Sequence, residues 1–251
     1  MLLAIDVGNT NTVLGLFEHD KLVHSWRINT NVRQTADEIE LTFHGLLGET
    51  AVTGVSLCST VPSVLSEMRV MLSRYYPSIP TVIVEPGIKT GVPIQTDNPK
   101  EVGADRIVNS LAAFTLFGGP CIVVDFGTST NLDVVSAKGE FLGGALAPGI
   151  EISLDALANR AAQLRKVELA VPRTVIGKNT VEALQSGMIY GFAGQVDGLV
   201  DRIMDELGAD VTAVVATGGL APVVVAQSET ITHHEPNLTL IGLNQVFQRN
   251  Q

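Results

Sequence analysis

Apolar residues along the chain follow two rhythms: short runs bounded by turn residues, and longer stretches in which they recur every three or four positions. Residues 2–7, 12–17 and 21–28 are of the first kind and predict three strands, with Glu18-His19-Asp20 as the turn between the last two. Thr35-Ala36-Asp37-Glu38 is a capping box ahead of Ile39, Leu41, Phe43 and Leu46, so a helix is expected there. A strand over 54–58 leads to Pro62, which opens a helix carrying Val64, Leu65, Met68, Met71, Leu72 and Tyr75 at helical spacing. Residues 81–84 supply one more strand before a polar loop.

The order then recurs. Residues 121–125, 131–136 and 140–145 predict three strands, with Ala137-Lys138-Gly139 as a turn. A helical region is expected over 150–164, and a longer helix opens at Asn179, capped with Glu182 three residues on, and continues to about 207. Residues 212–216 form a buried-type strand ending in Thr217-Gly218-Gly219, and 238–241 lead into a closing helix. Each half is a β-meander followed by alternating helices and strands, which places the chain in the α/β class. The stretch AIDVGNTNTVLG (4–15) aligns with VVDFGTSTNLDV (123–134), putting Asp6 on Asp125, Gly8 on Gly127 and Thr10 on Ser129. At 251 residues the chain accommodates two domains, expected at 1–118 and 119–251.

Composition narrows the partners. Sixteen basic against twenty-six acidic residues leave a net charge of −10, which disfavours nucleic acid and anionic membrane surfaces. Cys58 and Cys121 both fall in apolar strands and are expected as core thiols in a reducing cytosol. The N-terminus lacks the basic region of a signal peptide, and the most apolar stretch, AVVATGGLAPVVVA, is interrupted by two glycines and a proline. A cytoplasmic protein without a membrane span is expected. His19, His24, His44, His233 and His234 form no metal-ligand pattern and read as surface or turn residues, while Trp26 reads as core.

One Asp-x-Gly turn is ordinary hairpin chemistry. Two matching copies point to phosphate. Gly8 and Gly127 let a ligand approach the backbone, and Asn9, Thr10, Thr128 and Ser129 add donors to the N–H groups of the turns. Each copy also carries a carboxylate at its strand end, where a cation held directly or through water would offset polyphosphate charge. Gly218 and Gly219 after a buried strand would let backbone lie against adenine, although a tight strand-to-helix turn explains them equally well. In this order the three elements resemble the actin-like ATPase and sugar-kinase superfamily. That resemblance implies duplicated actin-like, ribonuclease H-like domains with a cleft between them.

Gly103-Ala104-Asp105-Arg106 sits where a loop becomes a helix, with Ile107, Val108, Leu111 and Phe114 on the buried side. Asp105 is there either a helix-start residue or a proton acceptor for a substrate hydroxyl, and Arg106 either a solvated neighbour or a donor to a substrate carboxylate. With DVGNT, DFGT, GKNT, TGG, AKGEFLGGALAPG and DNPKEVGADR, this segment makes nearly the whole chain similar to type III pantothenate kinases. The resemblance implies ATP-dependent phosphorylation of pantothenate to 4′-phosphopantothenate, opening coenzyme A synthesis. It implies that Asp6, Val7, Gly8, Asn9, Thr10, Asn11, Thr12, Val13 and Thr128 hold ATP, with Asp6 near magnesium. It further implies that Gly103, Ala104, Asp105, Arg106 and Thr180 contact pantothenate, that Asp105 is the general base, and that Asp125 serves a monovalent cation, potassium or ammonium. Two segments depart from the family pattern: Ser129-Thr130-Asn131, where Ala-Thr-Thr is frequent, and Gln95-Thr96-Asp97, where a tyrosine is frequent.

The helix after Thr180 carries Gly187, Gly191, Gly194 and Gly198 on one face. Interior glycines cost about 0.5–1 kcal/mol each relative to alanine, so the stripe calls for a close packing partner, either internal or the same helix of a second subunit. The resemblance implies a homodimer. The competing readings are another actin-like kinase acting on a sugar or short acid, and an ATP-binding regulatory module that transfers no phosphate.

Overall fold

The computed structural model describes residues 1–160 and 167–251. In chain order these form β1 (Leu2–Val7), β2 (Asn11–Glu18), β3 (Lys21–Asn29), α1 (Ala36–Leu47), β4 (Gly54–Ser59), α2 (Pro62–Tyr75), β5 (Thr81–Ile83) and α3 (Ala104–Phe117), then β6 (Cys121–Phe126), β7 (Ser129–Val135), β8 (Phe141–Pro148), α4 (Ile150–Arg160), α5 (Thr180–Leu207), β9 (Ala213–Thr217), α6 (Ala221–Val225), β10 (His233–His234) and α7 (Leu238–Arg249). The part of the expected 150–164 helix beyond Arg160 lies outside the described residues.

The chain forms two compact units. The first comprises Met1–Val92, Asn98–Ala112 and Leu238–Gln251, and the second Pro93–Asp97 and Ala113–Asn237. In the first, the sheet order is β3-β2-β1-β4-β5; β1 pairs antiparallel with β2 and parallel with β4. Leu3, Ile5, Val7, Leu14, Leu16, Val55 and Leu57 of the sheet pack with Ile39, Phe43, Met68 and Met71 of α1 and α2 in one buried cluster. Strands this apolar form where both sheet faces are covered, and α7 covers part of this sheet: Ser56 Oγ donates to Leu243 O at 2.8 Å. Trp26 is half-buried against the cluster and stacks on His24.

The second unit repeats the plan, with sheet order β10-β9-β6-β7-β8, β6 antiparallel to β7 and parallel to β9. Its core joins Ile122, Val124, Phe126, Leu132, Val214 and Ala216 to Ala193, Val196 and Val200 of α5. The expected duplication of an α/β unit is thus the architecture, meander first and crossover strands after. β10 was not expected: the paired histidines add a two-residue edge strand beside β9, and His233 rests on Phe117 with ring centroids 4.5 Å apart. Among the described residues, no helix is long and apolar enough to cross a membrane.

Candidate active site

In the first unit, β1 brings Asp6 and Val7 to its end, and Gly8, Asn9 and Thr10 turn the chain into β2, which carries Asn11, Thr12 and Val13. The turn closes on itself, Gly8 N–H donating to Asn11 O at 3.0 Å, and its tip residues Asn9 and Thr10 are exposed. Asp6 lies opposite Val13 on one side and Cys58 on the other. The Cys58 thiol donates to Asp6 Oδ1 at 3.3 Å. Burial, followed by the charge of Asp105, pushes the Asp6 carboxyl up to about 7, against the opposing pull of the thiol bond and Arg27. Cys58 is itself pushed well up by burial and by the charges of Asp6 and Asp105. Cys58 is buried, as expected of a core thiol, and its place beside Asp6 is the part the sequence does not show.

Gly103, Ala104, Asp105 and Arg106 belong to the same unit, the last three forming the first turn of α3. A Cβ at Gly103 would overlap Asp105 Oδ1, so glycine is what lets the carboxylate fold back against the helix start. That Oδ1 is buried and finds no hydrogen-bond donor among the described residues. Burial raises the Asp105 carboxyl, while the Arg106 N–H, the Arg106 charge and its own N–H pull the other way. The first unit therefore gathers two raised carboxylates, both raised chiefly by burial, with the charge of Asp105 adding to the rise at Asp6. A buried carboxylate oxygen left without a donor suits a group that receives a proton or faces a cation.

The second unit carries Asp125, Thr128 and Thr180. Asp125, near the end of β6, stands opposite Asn131 on β7 and Thr217 on β9. Asn131 Oδ1 is buried and meets no donor among the described residues. A carboxylate across from a donorless amide oxygen is a set of hard oxygen ligands suited to a cation. Gly218, at φ 92°, leaves room for Asp125: a Cβ there would lie 2.6 Å from Asp125 Oδ1. The second turn is one residue shorter than the first, since Phe126 pairs with Thr130 where Val7 pairs with Thr12. Beyond Gly127, then, Thr12 corresponds to Thr130, and the alignment of Thr10 with Ser129 fails inside the turn. Thr128 is exposed, and its carbonyl accepts from Gly149 N–H at 3.1 Å. Thr180 is the exposed first residue of α5, after Asn179, whose Oδ1 accepts from Glu182 N–H at 2.9 Å. The described residues hold no cluster of three or more His, Cys, Asp and Glu able to bind a metal.

The sequence pattern that defines type III pantothenate kinases matches residues 2–202. The type III pantothenate kinase of Frankia alni is 70% identical over 250 residues, spanning 100% of both chains. Among solved structures, a ROK family protein from Streptococcus pneumoniae in complex with sucrose superposes with a TM-score of 0.58 at 14% identity, covering 99% of this chain and 98% of that one. The component A of (R)-2-hydroxyglutaryl-CoA dehydratase from Acidaminococcus fermentans gives 0.57 at 15% identity, covering 98% and 96%. At such identities the structural likeness concerns the fold.

Proposed function

The chain belongs to the type III pantothenate kinase family, and on that premise we propose that it transfers the γ-phosphoryl group of ATP to the primary hydroxyl of pantothenate, giving 4′-phosphopantothenate for coenzyme A synthesis. The observation that carries the mechanism is Asp105 Oδ1, a buried carboxylate oxygen with no donor among the described residues. An attacking alcohol supplies the missing donor. As phosphorus approaches the alcohol oxygen, Asp105 takes its proton, and in-line displacement expels ADP without a covalent enzyme intermediate. Arg106, next in the chain, offers a guanidinium to the pantothenate carboxylate, with Gly103, Ala104 and Thr180 completing that contact set.

Asp6 to Val13 and Thr128 are assigned to ATP, the backbone amides of the turns serving its phosphates. Asp6 fits a magnesium ion, bound directly or through water, because its oxygen lies in the field of a second carboxylate that disfavours two bare charges. Asp125 with Asn131 Oδ1 fits potassium or ammonium. When bound, these cations neutralise charge on the polyphosphate. The reading extends to two halves, 1–118 and 119–251, derived from one duplicated unit, to a cytoplasmic location, and to a homodimer. The dimer is supported by Gly187, Gly191 and Gly194, exposed on α5 with no described atom beyond the nearby backbone of α5 itself within 4 Å of where a Cβ would stand. The net charge of −10 supports small-molecule rather than nucleic-acid partners.

The test is ADP release with ATP, magnesium and pantothenate in potassium, ammonium and sodium salts. Turnover should depend on pantothenate and on potassium or ammonium. Asp105→Asn should lower kcat by about 10² to 10⁴ while still binding nucleotide. A variant that turns over at the wild-type rate would remove Asp105 from the chemistry.

A further inference from the structure

Thr30, the residue after β3, makes three hydrogen bonds into the first Asp-x-Gly hairpin. Its N–H donates to Thr10 O at 2.9 Å, its Oγ1 donates to Gly8 O at 2.7 Å, and its Oγ1 lies 3.0 Å from Thr12 Oγ1. A hydroxyl has one proton, and that of Thr30 is committed to Gly8 O, so the buried Thr12 hydroxyl is the donor in the last bond. Two carbonyls of the turn, those of Gly8 and Thr10, are thereby aimed at Thr30. In a trans peptide the carbonyl and the next N–H point in opposite directions. The N–H groups of Asn9 and Asn11, on the same two peptide planes, are consequently held facing away from Thr30, where a phosphate could meet them.

The second hairpin has a glycine at the matching position. Gly149 N–H takes the place of Thr30 N–H by donating to Thr128 O, but Gly149 has no side chain, and a Cβ there would overlap Thr128 O and stand 2.6 Å from Gly127 O. A hydroxyl at this position is therefore a feature of the first hairpin and not of its counterpart at Gly149. We propose that Thr30 is a positioning residue for nucleotide phosphate, fixing the peptide planes of the Gly8–Asn11 turn through its hydroxyl and amide; this rests on the assignment of that turn to ATP.

The test compares wild type, Thr30→Val and Thr30→Ser by calorimetric binding of magnesium-ADP and of adenosine, with KM for ATP and for pantothenate measured alongside. Valine keeps the shape and removes the hydroxyl; serine restores it. Thr30→Val should weaken ADP about tenfold, equivalent to about 1.4 kcal/mol, and raise KM for ATP similarly. Adenosine affinity and KM for pantothenate should hold, and Thr30→Ser should return to within about threefold of wild type. Equal ADP affinity in wild type and Thr30→Val would overturn the proposal, as would a parallel loss for ADP and adenosine, which marks a general packing defect. Wild type that binds ADP but does not phosphorylate pantothenate would refute the kinase reading, while the binding arm still decides the role of Thr30. Wild type that binds no ADP would overturn the assignment of the turn and the proposal with it.

Discussion

Asp6 is held where a carboxylate ionises reluctantly, between burial and the charge of Asp105. Its carboxyl binds a proton more tightly in the folded chain than in the unfolded one, where its value is near 3.8. Folding therefore gains from this group in acid, fully below about pH 4, and loses that gain as the pH rises through about 7. Removing the charge should accordingly stabilise the ligand-free protein in alkali. Asp6→Asn is expected to melt above wild type at pH 8 and to lose that advantage at pH 4, as followed by thermal unfolding without nucleotide or magnesium; a variant less stable than wild type at pH 8 would contradict this. Asp6 and Asp105 stand out in the sequence because each sits in a compact motif. Cys58 and Thr30 do not, because what they do depends on pairing across distant segments: Cys58 reaches Asp6 only through the parallel register of β1 and β4, and Thr30 reaches Gly8 only after β3 folds back on β2.

Elements show the same division between local and distant causes. The capping box at Thr35 forms as its spacing requires, Thr35 Oγ1 accepting from Glu38 N–H and Glu38 accepting from Thr35 N–H. At Asn179 only half of that exchange occurs, because Glu182 turns instead to Lys178 N–H and Arg173. The closing helix begins at Leu238 itself, and β10, too short and polar to show a period, depends on its neighbour β9. Another long-range tie joins α5 to the turn after α6. Asp197 accepts from Ser228 Oγ at 2.5 Å, Thr230 Oγ1 at 2.8 Å, Glu229 N–H at 3.1 Å and Thr230 N–H at 3.1 Å. Burial alone would raise this carboxyl, but the four donors hold it below its usual value. Its contribution to stability is present above about pH 4 and is lost as the pH falls through the depressed value. Asp197→Asn should lower the melting midpoint at pH 7 by roughly 5 °C, a deficit that narrows below pH 4. An unchanged midpoint at pH 7 would make the tie dispensable.

At the scale of the molecule, two sheets of matching strand order arise from two halves with matching patterns, and this repeat was legible because meanders and crossover strands announce themselves by length and spacing. The glycine face of α5 was legible as well, but the choice between an internal and an external partner was not. The open space over Gly187, Gly191 and Gly194 among the described residues favours the external one. Light scattering of the wild type should give about twice the chain mass of 26.6 kDa, and Gly191→Leu should shift it toward a single chain with its circular dichroism unchanged. A wild type that already weighs one chain would dispose of the dimer.

Helix α7 belongs to the first unit although residues 238–251 follow the whole second unit in the chain. It is closely fitted there: a Cβ at Gly242 would overlap Val108 O, and Phe247 occupies the space that a side chain at Gly54 would need. During synthesis, Asp6 and Asp105 emerge from the ribosome long before the helix that covers the sheet of their unit. A nascent chain thus holds its acids in an unfinished unit while the second unit is completed, so the half begun first is the half finished last.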